Sequence, residues 1–166
     1  MTLTAWLLAA ALASPLAQAG ADPAAQVAQA KALLRDGPAS QPQARLLFAQ
    51  AAGQGSGPAA YYLGLMLKNG MGGAQDDAAA LRSLEQAARR GVAPAMFILA
   101  NMLLETDAQQ ARFWLDAACD AEYPEALQQK SVALAEGRMG YAHSEEQANL
   151  YLKMATHAMG HRAAEP

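Results

Sequence analysis

One cysteine, Cys119, stands in 166 residues, so no disulfide within the chain can hold it together. Stability has to come from packed side chains and capped helix ends. Aromatic residues make up only 6%, although hydrophobic residues reach 53%. Nearly half of that apolar content is alanine, which favours closely packed helices over strands. An excess of basic charge is also missing: 12 Lys and Arg stand against 15 Asp and Glu, a net −3. No basic stripe is left for nucleic acid, and none is expected as a partner. The length suits one domain.

The usual signatures of chemistry are missing too. No serine sits in a Gly-x-Ser-x-Gly turn, and Ser83 and Ser131 fall mid-helix. Gly72-Gly73 has neither a strand before it nor the Lys-Ser or Lys-Thr that a phosphate-cradling loop needs. Glu145 and Glu146 are neighbours in the first turn of a helix, pointing roughly 100° apart. There they complement the helix dipole rather than form a catalytic pair. His157 and His161 have the four-residue spacing of a helical metal site, but no acid or thiol stands at helical spacing beside them. No catalytic residue, cofactor or metal ligand is therefore assigned.

What the chain does have is repetition. The pair Ala87-Ala88 is preceded by Ala51-Ala52 at 36 residues, followed by Ala117-Ala118 at 30, and echoed by Met154-Ala155. Three residues before each pair comes a bulky side chain: Phe48, Leu84, Trp114 and Tyr151. Ten residues before the last three pairs, Asp77, Asp107 and Ser144 are expected to cap the helix that follows. Gln110 and Gln147 stand where a capping box places them. Pro58, Pro94 and Pro124 recur in step and are expected to close each unit. Gly53 to Pro58 is too rich in glycine for helix and reads as a turn between units. Gly64, Ala100 and Ser131 align as small residues that let a facing helix approach. A helix pair of this size cannot bury its apolar faces alone, so a recurring pair implies a stacked array.

The pattern resembles the Sel1-like repeat, a relative of the tetratricopeptide repeat. The likeness rests on Leu63-Gly64, Gly70-Met71-Gly72, Leu84-Glu85-Gln86-Ala87-Ala88-Arg89-Arg90-Gly91 and, in the last unit, Gly137-Arg138-Met139-Gly140 with Ala148 to Ala155. It implies an all-α fold, an α/α superhelix of about three to four stacked helix pairs. The expected divisions are a capping pair over 22–58, repeats over 59–94, 95–124 and 125–160, and a tail over 161–166. The third unit is shortened, with Glu105-Thr106-Asp107 in place of the Gly-x-Gly link. The resemblance also implies that the first helix of each unit lines a concave face. By register that face presents Tyr61, Leu65 and Lys68, then Phe97, Asn101 and Leu104, then Gln128, Val132 and Ala135. Tyr61, Leu65, Lys68, Phe97, Asn101 and Gln128 are the candidate contacts for a protein or peptide partner. An exported, Cys-rich branch of the family stapled by disulfides includes proteins described as binding or slowly cleaving β-lactams. This chain lacks those cysteine pairs, and no catalytic residue maps onto it. Cys119 takes the position of Arg89, after the Ala pair, and reads as a small, partly buried residue; a disulfide to another chain is the sharper alternative.

Residues 1–19 read as a secretory signal. The apolar run covers Ala5 to Ala13, Pro15 breaks it, and Ala17-Gln18-Ala19 is a small-x-small cleavage site, although the Lys or Arg that usually opens a signal is missing. The run is shorter than the ~20 residues of a membrane span, and no cysteine follows it for a lipid anchor. The expectation is a periplasmic protein starting near Gly20 or Asp22, with no membrane span after cleavage.

Overall fold

The computed structural model describes residues 22–161; the expected signal at 1–19 and the tail beyond His161 lie outside them. The described residues form eight α-helices: α1 Pro23–Arg35, α2 Gln41–Gly53, α3 Gly57–Lys68, α4 Asp77–Arg89, α5 Ala93–Leu103, α6 Ala108–Asp120, α7 Pro124–Glu136 and α8 Glu145–His161. A single 3₁₀ turn, Pro38–Ser40, leads into α2. Helices pair as α1–α2, α3–α4, α5–α6 and α7–α8, and each second helix packs on the first helix of the next pair. The all-α superhelix of stacked pairs is what the repetition implied. No described helix is long and apolar enough to cross a membrane.

The helix ends correct three details. Asp76, not Asp77, caps α4: its backbone is extended at φ −146° and its carboxylate accepts from the Ala79 amide at 2.8 Å. Asp77 is the first helical residue and instead accepts from Gln75 Nε2 at 3.0 Å. Asp107 and Ser144 cap as expected, accepting from the amides of Gln110 at 2.9 Å and Gln147 at 3.3 Å. Second, Pro58, Pro94 and Pro124 lie in the first turns of α3, α5 and α7, so they open hairpins rather than close them. The first turn has spare amides, and a residue without one fits there. Third, Gly53 ends α2 and Gly57 opens α3, leaving only Gln54 to Ser56 between them. A Cβ on Gly57 would lie 2.8 Å from Arg90 Cβ, so this glycine serves the close crossing of the start of α3 with the end of α4.

The second helices also correct the register. The turns that leave α2, α4 and α6 close with the same bond: Ser56 N to Ala51 O, Val92 N to Ala87 O and Tyr123 N to Ala118 O. The step from α4 to α6 is therefore 31 residues, one more than the alanine pairs suggested. Ala87-Ala88 corresponds to Ala118-Cys119, and the bulky row is Phe48, Leu84 and Leu115, each 0% exposed. Trp114 and Tyr151 sit one position aside, still facing inward. An Ala-Ala-Cys run offers two equally good alanine-sized pairs, so composition could not choose between them. Gly64 has the packing role expected of it: a Cβ there would lie 2.7 Å from Leu84 Cγ.

Candidate functional site

The first helices present their expected row at the 36- and 31-residue steps that the turns confirm. Tyr61, Leu65, Phe97, Leu104 and Ala135 are half-buried, whereas Lys68, Asn101, Gln128 and Val132 are exposed. The row is not uniformly free to bind. Phe97 lies against Tyr123 with ring centroids 5.5 Å apart, and Tyr61 meets Tyr62 edge-on at 5.2 Å. Asn101 exchanges amide bonds with Gln129 of α7 at 3.3 and 3.1 Å, and donates to its own Phe97 carbonyl at 2.9 Å. It therefore ties one unit to the next. Lys68 at the end of α3 and Gln128 in α7 face solvent.

Where α5 and α7 end, the row borders a recess of about 480 Å³ lined by Leu104, Gln129, Val132, Arg138 and Met139 among others. Gln129 Nε2 reaches Met139 Sδ at 3.7 Å in its wall. Val132 on its rim is 46% exposed. The recess combines apolar carbon with one guanidinium and one carboxylate, Arg138 and Glu105. Such a mixture can receive a side chain that is apolar along its length and polar at its tip.

A second polar group lies between α6, α7 and the turn before α8, and sequence reasoning missed it. Asp116 accepts from Lys130 Nζ at 2.6 Å and from the Tyr141 hydroxyl at 2.7 Å. Lys130 also lies 4.4 Å from the Tyr151 ring centroid, and the Arg112 guanidinium covers the Tyr141 ring at 4.4 Å while donating to Gly140 O. Burial pulls the Lys130 ammonium down, but its bonds to Asp116 and Tyr151 outweigh that and leave it raised. Burial, then the Asp116 carboxylate, push the Tyr141 hydroxyl up. Each member has a partner, so the group braces the last hairpin. The only hint in the sequence was an aromatic, Tyr141, inside a glycine-bearing link.

Cys119 is 3% exposed, and burial pushes its thiol up to about 12. It is not placed for a disulfide to another chain. The His157 and His161 rings meet edge-on at 4.4 Å. No group of three or more His, Cys, Asp or Glu among the described residues is placed to hold a metal. His143 lies in the turn before α8, its Nδ1 2.8 Å from the Ala135 carbonyl.

No family model matches the chain. An uncharacterized protein of Neisseria meningitidis serogroup B is 36% identical over 83 residues, which cover 50% of this chain and 18% of that one. Among solved structures, a Sel1 repeat protein from Oxalobacter formigenes superposes with a TM-score of 0.74 at 20% identity, over 82% of this chain and 58% of that one. A protective antigen of uropathogenic Escherichia coli strains, described as an SLR fold, gives a TM-score of 0.47 at 21% identity, over 81% and 38%. The chain thus spans less than two thirds of these proteins. With four hairpins in matching register and the Oxalobacter superposition, the fold of this chain is that of a Sel1-like repeat solenoid.

Proposed function

We propose that the protein is an exported, non-enzymatic scaffold of the bacterial cell envelope that holds a protein or peptide partner on the face built by its first helices. The observation that carries this reading is the recess of about 480 Å³ beside Val132, set into a row of side chains repeated at one register through three units. Repeat arrays offer such rows as extended binding surfaces, and aromatic anchors such as Tyr61 and Phe97 supply much of the energy at interfaces. Export rests on residues 1–19. A mature protein whose intact mass begins after Ala19 in a periplasmic extract is the expected result, and a mass that includes Met1 would overturn it.

The binding surface is tested by placing a photo-cross-linking residue at Val132 or Tyr61 in cells and identifying the adduct, then measuring that partner's affinity in purified form. Tyr61→Ala with Asn101→Ala should weaken it about tenfold, equal to ~1.4 kcal/mol; unchanged affinity would remove the face from the account. Turnover of a chromogenic β-lactam by the same material would overturn the non-enzymatic part.

A further inference from the structure

On the opposite side of the array, one position of the second helices repeats in step with the turns. It is Leu46 in α2, Arg82 in α4, Phe113 in α6 and Leu150 in α8. Leu46 and Phe113 are 58% exposed and Leu150 is 55%. Single apolar side chains on a surface need no explanation. Three of four at one outward register form a row.

Between α2 and α4 the row borders a trough of about 530 Å³. Leu63 and Leu67 of α3 form its floor, on the side of that helix away from Tyr61, Leu65 and Lys68. Gln86 is spent on the Ala52 carbonyl at 2.7 Å, and Ser83 on Ala79 O at 2.9 Å. The charged residues of the lining are Arg45 and Arg82, with no carboxylate among them, in a chain whose net charge is −3. Arg45 uses one nitrogen on the Ala74 carbonyl at 3.1 Å; Arg82 has no hydrogen bond or ion pair among the described residues. Farther along, Glu85 is engaged with Arg89 at 2.5 Å and Asp116 with Lys130, while Glu146 shares a recess with Leu150 and Lys153.

We infer that this row is a docking surface for an amphipathic helix of a protein partner, with apolar residues about every seven positions and carboxylates set against Arg82 and Arg45. Second helices are held apart by the first helix between them, so their row is spaced more widely than the 8–10 Å of helices in direct contact. A helix laid across them returns the same face every two turns, about 11 Å. The uncommitted guanidinium of Arg82 in an otherwise apolar row selects the sign of the partner's charge, because a like charge there would be desolvated without compensation.

The probe is a set of three dye-labelled 22-residue peptides, stapled as helices, with leucine at every seventh position and either Glu, Gln or Lys flanking the second leucine. Anisotropy with the purified protein should rank them Glu, Gln, Lys, and amide shifts should follow α2, α4, α6 and α8. Arg82→Glu should weaken the Glu peptide at least about tenfold and reverse the preference. Leu46→Ser with Phe113→Ser and Leu150→Ser should abolish binding, and Leu46→Ser with Leu150→Ser alone should weaken it while melting as the parent does, since Phe113 also meets Trp114 edge-on at 4.9 Å. Tyr61→Ala with Asn101→Ala should leave it unchanged, which separates this surface from the first-helix face. Equal binding of the Lys peptide, shifts confined to the first helices, binding that survives the triple variant, or a preference for phosphatidylglycerol vesicles over every peptide would each overturn the inference.

Discussion

Gly64 and Leu84 illustrate how single residues set the spacing of a hairpin. With Leu84 Cγ 2.7 Å from where a Cβ would stand, Gly64→Val should cost about 1–3 kcal/mol by overpacking, read as a lower urea midpoint at unchanged slope. Adding Leu84→Ala to that variant should recover part of the loss, since the two changes share one space. The pairing of a small residue in the first helix with a large one in the second was legible from the repeat. Cys119 was legible only in part. Its smallness was plain, but its alignment with Arg89, and so its reading as only partly buried, came from the one-residue slip in α6. Because its thiol is raised from 9.0 to about 12 by burial, the folded state holds this proton more tightly than the unfolded chain. The stability it contributes is complete below about pH 9 and is lost as pH rises toward 12. A Cys119→Ala comparison by denaturation at pH 8 and pH 11 should show that difference. The native thiol should also resist a disulfide exchange reagent at pH 8 until denaturant is added.

At the scale of the element, adjacent acids separate what the repeat could choose from what it could not. Asp76 and Asp77 both suit the start of α4, and only the extended backbone at Asp76 decides which side chain reaches back to the Ala79 amide. Asp76→Ala should therefore cost about 1 kcal/mol. Asp77→Ala should cost only a few tenths, the share of a first-turn charge against the helix dipole. Melting of the two variants side by side checks it, and equal losses would contradict the cap assignment. Asn101 makes the same point for the candidate face. Its place in the row followed from a 36-residue step, yet its amide pair with Gln129 joins residues 28 apart in sequence. No local pattern reports a bond between helices of different units. The α2–α4 trough escaped for a similar reason: its walls are two separate i, i+3, i+4, i+7 rows, each of which reads as an ordinary helix face until the helices are side by side.

Across the whole molecule, each helix packs chiefly on its neighbours in sequence, so stability is close to a sum of hairpins and the seams between them. Among the described residues the middle hairpins, α3–α4 and α5–α6, pack against a hairpin on each side, and α7–α8 against one. Amide exchange should be slowest in α4 and α5 and at least about tenfold faster in α8, opening from the end inward. Uniform protection along α3 to α8 would mean a single cooperative block. The stacked architecture was the most legible feature of all, because alanine pairs, caps and prolines repeated together and no strand pattern competed with them.

Leu152 occupies in α8 the place that Leu115 holds in α6, yet 48% of it meets solvent while Leu115 meets none. The chain thus contains its own before-and-after comparison for one seam. Covering that leucine would recover on the order of 1 kcal/mol, so a duplicated hairpin grafted behind α8 has a ready-made socket. Lengthening by gene duplication would begin with favourable adhesion already in place.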